Sequence, residues 1–304
     1  MPNEYRRRKP QILTDLVRVL NDQESKELPL ELQEAEVIDQ LEGSHISPLF
    51  LGRFTADQVL KILEQFEILS EIYKKGYSDI RLKMTARSKC ESYLGLFDGD
   101  PAENRLLFEM VINEGSFKPK PGLLIAGMFP RMELLFIEWL LMQDIRRPFS
   151  PDKPRLPGQN HPGLGVSRKV VNFLTDLAQK MGKDGILNHP EYLHNALFYA
   201  IRFMFIDPEK QGEIMAIRRA LLSRYSLSEV SFASYFNAIY DKDSKEMIVW
   251  RPTEQICPIS PKLRSYFESV DYKSEVLSRA NELQLAIDEE VLMKKMKTAD
   301  AIIW

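Results

Sequence analysis

Apolar and polar residues alternate along three stretches of the chain with the period of an amphipathic helix. The first stretch, 59–73, follows Thr55 and Gln58, whose three-residue spacing predicts a capping box at the helix start. The second, 166–181, has apolar residues on one side and mainly charged or amide residues on the other. The third, 266–297, ends in lysines, which suit the negative end of a helix dipole. The pattern therefore predicts three long helices that each bury one face.

Shorter apolar runs predict strands between these helices. The segments 79–84, 91–97 and 105–113 are rich in apolar residues, and the turn sequence DGDP at 98–101 separates the last two. Tight turns between successive strands imply antiparallel pairing. The segment 132–143 is almost continuously apolar, as expected for a central strand that is covered on both faces.

The remaining elements complete an α+β fold. Further strands are predicted at 185–188 and 246–259, and further helices at 191–202, 209–224 and 229–240. The segment 123–127 is compatible with either a strand or a loop. Together the elements predict an α/β sandwich in which helices flank a mixed, mostly antiparallel central sheet.

The chain divides into three parts. Residues 1–43 are predicted to form a tail and short helices, and they include the basic run RRRK at 6–9, which is typical of a solvated terminus or of a contact with an acidic partner. Residues 44–260 form the main domain, with a possible first strand at 46–50. Residues 261–304 are predicted to form a C-terminal helical extension.

Composition excludes several classes of protein. With 304 residues, 44% of them hydrophobic, the chain can bury a sizeable core. Two cysteines, Cys90 and Cys257, argue against a disulfide scaffold or a cysteine-ligated zinc site. No apolar run is long enough to cross a bilayer and no signal region is recognised, so we expect a cytoplasmic protein that does not bind membranes. A formal net charge of −3 gives no support to specific nucleic-acid binding.

A glycine-containing loop precedes the second long helix. Gly163 and Gly165 lie in the run 158–165 (GQNHPGLG), where glycine lets the backbone adopt positive φ and approach a ligand closely. A helix that begins directly after such a loop presents unpaired N–H groups and the positive end of its dipole to one point, which suits a phosphate or diphosphate. The same glycines are equally compatible with a tight turn that binds nothing.

The order of elements around this loop resembles the GNAT superfamily of N-acetyltransferases. In that family a Q/R-x-x-G-x-G/A loop after the fourth strand holds the diphosphate of acetyl-CoA, and a later helix supplies a tyrosine near the thioester. Gln159, Gly163 and Gly165 resemble the loop, with one residue too many between the glutamine and the first glycine. The segment 195–199 (NALFY) resembles the later helix.

The resemblance implies an acyl-CoA N-acyltransferase-like fold over residues 44–260, although similarity at the level of motifs is confined to 158–205. It also implies acetyl-CoA or another acyl-CoA as co-substrate. The chain departs from the family pattern at His161 and Pro162, which form an unusual insertion, and Pro162 removes one backbone donor.

The resemblance further implies roles for individual residues. Glu138, in the predicted central strand, would be the catalytic base, and Tyr199 would be the general acid for the departing thiolate. The cofactor-binding residues that it implies are Gln159, His161, Gly163, Leu164, Gly165, Val166, Ser167 and Asn195. From the residues alone, Glu138 can equally be salt-bridged and Tyr199 can equally be a core residue. Glu133 and Glu138 are five residues apart and lie on opposite faces of a regular strand, so they form no local acid–base pair.

Two groups of polar residues near the loop admit a structural or a functional interpretation. The basic residues Arg146, Arg147, Lys153 and Arg155 could bind the ribose phosphate of CoA or be ordinary surface charges. Three histidines, His161, His189 and His194, also occur here, but their spacing matches no familiar set of ligands and we expect no metal.

Two functions remain open from the sequence. The first is a GNAT-like N-acyltransferase that transfers an acetyl or acyl group from a CoA thioester to a small-molecule or peptide amine. The alternative is a non-catalytic GNAT-like module that binds CoA or another protein. A hydrolase or metal enzyme built on the histidines is a weaker third hypothesis, and a homo-oligomer is compatible with either of the first two.

Overall fold

The computed structural model describes residues 49–86 and 91–303. These residues belong to one unit of the chain, Ser47–Trp304. The predicted tail and helices at 1–43 lie outside the described residues, as does most of the possible strand at 46–50. Phe50 itself bridges to Phe54 across a turn.

Within the described residues, seven strands form one mixed sheet in the order β1-β2-β3-β4-β5-β8-β6. All neighbours pair antiparallel except β4 and β5, which are parallel. Two further short strands, β7 and β9, pair with each other. The strands are β1 (Ile80–Ala86), β2 (Glu91–Asp98), β3 (Leu106–Phe117), β4 (Met132–Met142), β5 (Gly185–Asn188), β6 (Met204–Phe205), β7 (Ile239–Asp241), β8 (Gln255–Pro258) and β9 (Leu285–Ile287). The prediction of an α+β fold with a mostly antiparallel sheet is confirmed.

Ten described helices accompany these strands. They are α1 (Ala56–Gln65), α2 (Ile68–Lys74), α3 (Leu124–Met128), α4 (Ser167–Lys180), α5 (Leu193–Tyr199), α6 (Pro208–Ala220), α7 (Leu227–Tyr235), α8 (Pro261–Glu268), α9 (Val270–Glu282) and α10 (Glu289–Ile303). The segment 123–127, left open between strand and loop, thus lies mostly in a short helix. None of the described helices combines the length and apolarity that a membrane crossing requires.

The predicted helix at 59–73 is divided in two. Its capping box is confirmed, because Thr55 accepts a hydrogen bond from the Gln58 backbone N–H and Gln58 accepts one from Thr55. The prediction of one continuous helix was wrong, because Glu67 has a left-handed φ of 58° and a right-handed helix cannot continue through it. Phe66, at the break, packs edge-on against Phe173 of α4.

The predicted single helix at 266–297 was also wrong. Ser269 has an extended backbone and caps α9 by accepting from the Tyr272 N–H, so α8 ends and α9 begins there. The Tyr266 and Tyr272 hydroxyls donate to backbone carbonyls at the end of the main sheet, Ile206 and Phe205. The segment predicted as a C-terminal extension therefore packs into the same cores as residues 49–260.

Three apolar cores surround the sheet. The first lies on one face, beneath α1, α2 and α4, and the third lies on the other face, beside α3, α8 and α9. β4 contributes to both, because Leu135 and Ile137 enter the first core while Leu134 and Phe136 contact the third. The second core joins α5, α6 and α7 to β7, β9 and α10. The prediction that 132–143 is a central strand covered on both faces is confirmed.

Candidate functional site

The central strand contains a bulge at Glu138. Trp139 of β4 lies opposite Val111 of β3 and Ile137 lies opposite Ile112, so Glu138 is an extra residue with no counterpart on β3. A bulge of this kind leaves one residue out of the ladder and increases the local twist of its strand. The bulged residue is the one that the sequence singled out as the base.

The bulge changes which side chains share a face. Ile137 and Leu140 both pack with the first core, although residues three apart lie on opposite faces of a regular strand. The prediction that Glu133 and Glu138 lie on opposite faces assumed a regular strand and therefore loses its basis. Glu133 is exposed and bonds to Ser116 and Arg131, whereas Glu138 is half-buried.

β4 and β5 part at the bulge. Their parallel pairing ends where Ile137 lies beside Asn188. At the far end of β4, the glycine loop lies beside the strand. The Asp144 N–H donates to the Pro162 carbonyl at 2.7 Å, and the Leu164 N–H donates to the Met142 carbonyl at 3.4 Å. Between these two contacts, residues 138–141 of β4 have no strand beside them on this edge in the part of the chain that the structure describes. At ~3.3 Å per residue the opening is about 13 Å long.

The glycine loop leads from this opening into α4. Leu164 and Val166 are buried in the first core and anchor the loop, while Gly165 is exposed with a φ of 78°. Val166 is the N-cap of α4 and makes no side-chain cap, so the first backbone N–H groups of this 14-residue helix receive no acceptor from that side chain. Ser167 is exposed at the helix start. The local geometry thus fits an anion-binding site.

The preceding turn engages the predicted glutamine. The Gln159 side-chain oxygen accepts from the Leu156 N–H at 3.3 Å, and its carbonyl accepts from Arg155 at 2.8 Å. Gly158 has a φ of 76°, and a Cβ at this glycine would lie 2.8 Å from the Tyr192 ring. In this structure Gln159 stabilises its own turn. His161 is half-buried two residues further along.

Most of the basic residues considered for phosphate binding have acidic or carbonyl partners. Arg146 donates to Asp98 at 2.6 Å and to the Gly76 carbonyl, and its guanidinium lies 4.4 Å from the centre of the Tyr77 ring. Arg147 lies 3.7 Å from the Asp144 carboxylate. These contacts favour the interpretation of both arginines as structural charges.

Polar side chains that the sequence did not single out lie at the end of β5. Asn188 is the last residue of β5 and pairs with Ile137 on one side and with Gln255 of β8 on the other. Asn188 is 3% exposed and Gln255 is 1% exposed. The Gln255 Nε2 donates to the Ala196 carbonyl at 3.1 Å. Both amide atoms of Asn188 and the Oε1 of Gln255 have no hydrogen-bond partner among the described residues.

Asn188 and Gln255 form what we call the amide pair. Tyr199, the predicted acid, ends α5 beside its Asn188 member. Tyr199 is half-buried, and the desolvation of its hydroxyl raises the pKa of Tyr199 well above its ordinary value. The Asn188 amide beside it lowers that pKa in part, as an N–H donor does. The contact does not reach hydrogen-bond geometry, because neither Asn188 amide atom has a partner. Tyr199 therefore stays protonated near neutral pH and is a weak acid.

A carboxylate, Glu254, directly precedes Gln255 in the chain, and His189 directly follows Asn188. The His189 Nε2 is 3.9 Å from Glu254, and Lys120 is 3.5 Å from the same carboxylate. Burial raises the pKa of Glu254, but the nearby His189, a backbone hydrogen bond and the charge of Lys120 outweigh it and bring the pKa to about 2. Glu254 is therefore ionised at all ordinary pH values.

Other candidates lie apart from this arrangement. Asn195 is half-buried in the first turn of α5, and its N–H donates to the Tyr192 carbonyl. His194 is buried and stacks on Tyr192. Among residues 49–86 and 91–303, no three His, Cys, Asp or Glu side chains converge as a metal site would require. An open cavity of about 360 Å³ lies at α1, α2 and β1 and contains none of the predicted site residues.

Sequence reasoning found the bulged glutamate, the glycine loop and the tyrosine but missed the amide pair. The signal available for Asn188 was a polar residue closing an otherwise apolar strand, GILN. Gln255 gave no signal, because its pairing with Asn188 joins distant parts of the chain. In comparison with known proteins, no protein-family model matches the chain, and no curated protein shows significant similarity to it.

Proposed function

We propose that this protein is an N-acyltransferase that moves an acetyl or acyl group from a CoA thioester to an amine. One observation carries the proposal: the opening in β4 at residues 138–141 adjoins both the glycine loop and the buried polar groups at the end of β5. A binding loop, a gap between strands and candidate acid–base groups thus share one edge of the sheet.

The glycine loop would bind the diphosphate of the co-substrate. Backbone N–H groups from Gly165 to Arg168 precede or begin α4, where the helix dipole favours negative charge. Because Leu164 and Val166 are fixed in the core, these donors are held in place before a ligand arrives. Preorganised donors of this kind lose little entropy on binding.

The edge of β4 would place the thioester. Backbone groups of residues 138–141 that have no strand opposite can bond to the polar groups of an extended ligand or to the oxyanion that develops on the attacked carbonyl. Glu138 lies in this segment and would accept the proton from the amine nucleophile. Tyr199, whose raised pKa makes it a poor source of protons, would stabilise the departing thiolate by donating a hydrogen bond.

Calorimetry with acetyl-CoA tests the binding step. Ser167→Glu places a carboxylate at the start of α4, where it suits the helix dipole but repels a diphosphate, so we expect a loss of acetyl-CoA binding without loss of folding. Ser167→Ala is the matched control, because it removes the hydroxyl and keeps the backbone donors. Equal affinity in Ser167→Glu and wild type, or no binding to the wild type at millimolar ligand, would remove the proposal.

Turnover tests the chemistry separately. With a mixture of primary amines and acetyl-CoA, Glu138→Gln should retain binding and lose thiol release by about 10²-fold or more, the usual contribution of a positioned general base. An unchanged rate in this variant would show that another group accepts the proton.

The non-catalytic module remains the second candidate, because the Gln159 oxygen is used within its own turn and the Leu164 N–H within the contact to β4. Both engagements reduce the donors and acceptors left for a diphosphate. Binding of acetyl-CoA without thiol release under any amine would favour this candidate.

A further inference from the structure

A histidine and a carboxylate lie together where β5 ends and β8 begins. The His189 Nε2 is 3.9 Å from the Glu254 carboxylate, which is within ion-pair distance. The Glu254 side chain is 14% exposed and ionised, whereas 25% of the His189 side chain is exposed. A proton on this imidazole is therefore stabilised by a fixed negative charge, and a molecule from solvent can reach the ring without entering the protein interior.

The His189–Glu254 pair lies at the start of the opening in β4. The last pair between β4 and β5 joins Ile137 to Asn188, and His189 is the next residue after Asn188. The next residue after Ile137 is the bulged Glu138. Because paired strands lie about 4.8 Å apart, His189 and Glu138 are neighbours at the point where the two strands part.

The side chains of His189 and Glu138 lie toward the same face of the sheet. Ile137 and Leu140 both enter the first core, so the bulge leaves the two residues between them, of which Glu138 is the first, on the opposite face. Leu187 belongs to the third core, on that opposite face, and His189 follows it by two residues. Residues two apart in an extended chain point the same way.

The groups assigned to the co-substrate lie on the other side of the opening. Leu164 and Val166 anchor the glycine loop in the first core, and Tyr199 packs against the same core. The face of the first core thus holds the groups proposed for acyl-CoA, and the face of the third core holds two groups that can accept protons.

Acylation of an amine needs two proton acceptors in succession. An aliphatic primary amine is an ammonium ion at neutral pH, like a lysine side chain, and has no lone pair for attack. One proton therefore leaves before the nitrogen attacks, and a second leaves after the new bond to carbon has formed. The proposed function assigns only the second proton, to Glu138.

We propose that His189, held by Glu254, is a further catalytic base, which removes the first proton from an ammonium acceptor. This inference rests on the proposed function and adds the charge state in which the acceptor arrives. Glu254 touches no reactant and is a positioning residue: its charge orients the imidazole and stabilises the imidazolium ion, as the carboxylate of a catalytic triad does.

The step balances with the groups named. The Nε2 of His189 lies toward Glu254, so Nδ1 accepts the ammonium proton. The lone pair left on nitrogen forms a bond to the thioester carbon, and the bond from that carbon to sulfur breaks. The second nitrogen proton passes to Glu138, and the thiolate leaves with a hydrogen bond from Tyr199.

Two amines that differ in basicity test the proposal. Ethylamine is almost entirely an ammonium ion at pH 7, whereas trifluoroethylamine is mostly neutral because fluorine withdraws electrons from its nitrogen. With acetyl-CoA, His189→Gln should lower kcat/KM for ethylamine by about 10²-fold, the usual contribution of a positioned base. The value for trifluoroethylamine, which has no first proton to lose, should stay close to that of the wild type. Glu138→Gln should slow both amines.

Glu254 and Lys120 supply a matched pair of variants. Glu254→Gln keeps the size and removes the charge, so kcat/KM for ethylamine should fall selectively, by less than in His189→Gln. Lys120 lies 3.5 Å from the same carboxylate but is mostly exposed, so Lys120→Ala should leave both amines unaffected. An ethylamine-selective loss as large in Lys120→Ala as in Glu254→Gln would show that the carboxylate does not act through His189.

Calorimetry with acetyl-CoA separates this inference from the proposed function. All three variants, His189→Gln, Glu254→Gln and Lys120→Ala, should keep the wild-type Kd, because the pair lies on the other face from the glycine loop. A wild type that acylates both amines, with equal losses for both in His189→Gln, would keep the acyltransferase and overturn the role of His189. A wild type that binds no acetyl-CoA and acylates neither amine would overturn both.

Discussion

Two buried polar clusters lie near opposite ends of the open edge of β4, and they differ in how completely their groups are paired. At the far end, Asp144 is 1% exposed, accepts a hydrogen bond from the Tyr77 hydroxyl at 2.7 Å, and lies 3.4 Å from Lys75 and 3.7 Å from Arg147. At the near end, Asn188 and Gln255 keep three amide atoms without partners among the described residues.

The difference separates a structural cluster from a candidate site. Asp144 also donates its backbone N–H to Pro162, so its cluster fixes the place where the glycine loop joins β4. Each charge in it has a counterpart within ion-pair distance, although the Asp144 Oδ2 itself makes no hydrogen bond among the described residues. The Asn188 and Gln255 side chains keep donors and acceptors unpaired among the described residues, and buried polar atoms without partners cost stability.

Removal of Asp144 should give the largest loss of stability. Asp144→Ala leaves Lys75, which is mostly buried, and the Tyr77 hydroxyl without their acceptor. Breaking a buried ion pair by deleting one partner typically costs about 3–5 kcal/mol, so the free energy of unfolding should fall by about 3 kcal/mol or more. Chemical denaturation followed by circular dichroism measures it.

Asp176→Ala is the matched control, because Asp176 pairs with Lys180 four residues later on the helix surface. Its loss should be about 0.5 kcal/mol or less. Similar losses in both variants would mean that the Asp144 cluster is not the structural anchor described above.

Acidification should destabilise the protein through His194, another buried residue with an unpartnered atom, its Nδ1. Burial lowers the pKa of His194 from 6.5 to about 4. Between these two pH values His194 binds a proton in the unfolded chain but not in the folded chain. Stability is therefore fully present above pH 6.5 and is lost as the pH falls toward about 4. The loss amounts to about 3 kcal/mol.

Denaturation curves from pH 7 to pH 4 check this prediction against His194→Phe, which keeps an aromatic ring beside Tyr192 and Phe198. In the variant this part of the pH dependence should disappear. A wild type and variant with parallel pH profiles would show that folding does not lower the pKa of His194.

A pair of tyrosine variants contrasts the two clusters directly. The Tyr77 hydroxyl donates to Asp144 and accepts from the Arg146 N–H, so Tyr77→Phe should cost about 1–3 kcal/mol. The Tyr199 hydroxyl is near Asn188, but neither Asn188 amide atom makes a hydrogen bond to it, so Tyr199→Phe should change stability by about 0.5 kcal/mol or less. Thermal denaturation of both variants gives the comparison, and equal losses would erase the contrast between the clusters.

The sequence predicted the elements that depend on local signals. Apolar-rich segments and the DGDP turn placed β2 and β3 within a few residues, and the glycine loop and amphipathic spacing placed α4. The continuous apolar run identified β4 as the central strand, because both faces of such a strand must be covered. For these segments the neighbours along the chain contain most of the information.

Features decided by distant contacts were not predictable. The bulge at Glu138 exists only relative to β3, and the helix break at Glu67 needs a left-handed backbone that glutamate rarely adopts. Lys169 of α4 pairs with Glu67, which shows a tertiary contact at that break. The Asn188–Gln255 pair likewise forms only when β5 and β8 meet. The part of the candidate site that suggests chemistry is thus the part that the fold has to assemble.

An effect smaller than those at Asp144 and His194 is expected at Gly165, which lies in the loop that the Asp144 cluster holds in place. Its φ of 78° disfavours side chains, although the space around it is open, so Gly165→Ala should cost about 1 kcal/mol from backbone strain alone. Asparagine tolerates this backbone region better than alanine, so Gly165→Asn should lose less stability.

If the loop binds a diphosphate through its backbone, acetyl-CoA affinity should follow the same order, because a strained residue turns these N–H groups away from the ligand. Calorimetry and denaturation of both variants test this. A Gly165→Ala protein that loses stability and keeps full affinity would show that the loop joins a strand to a helix and does nothing more.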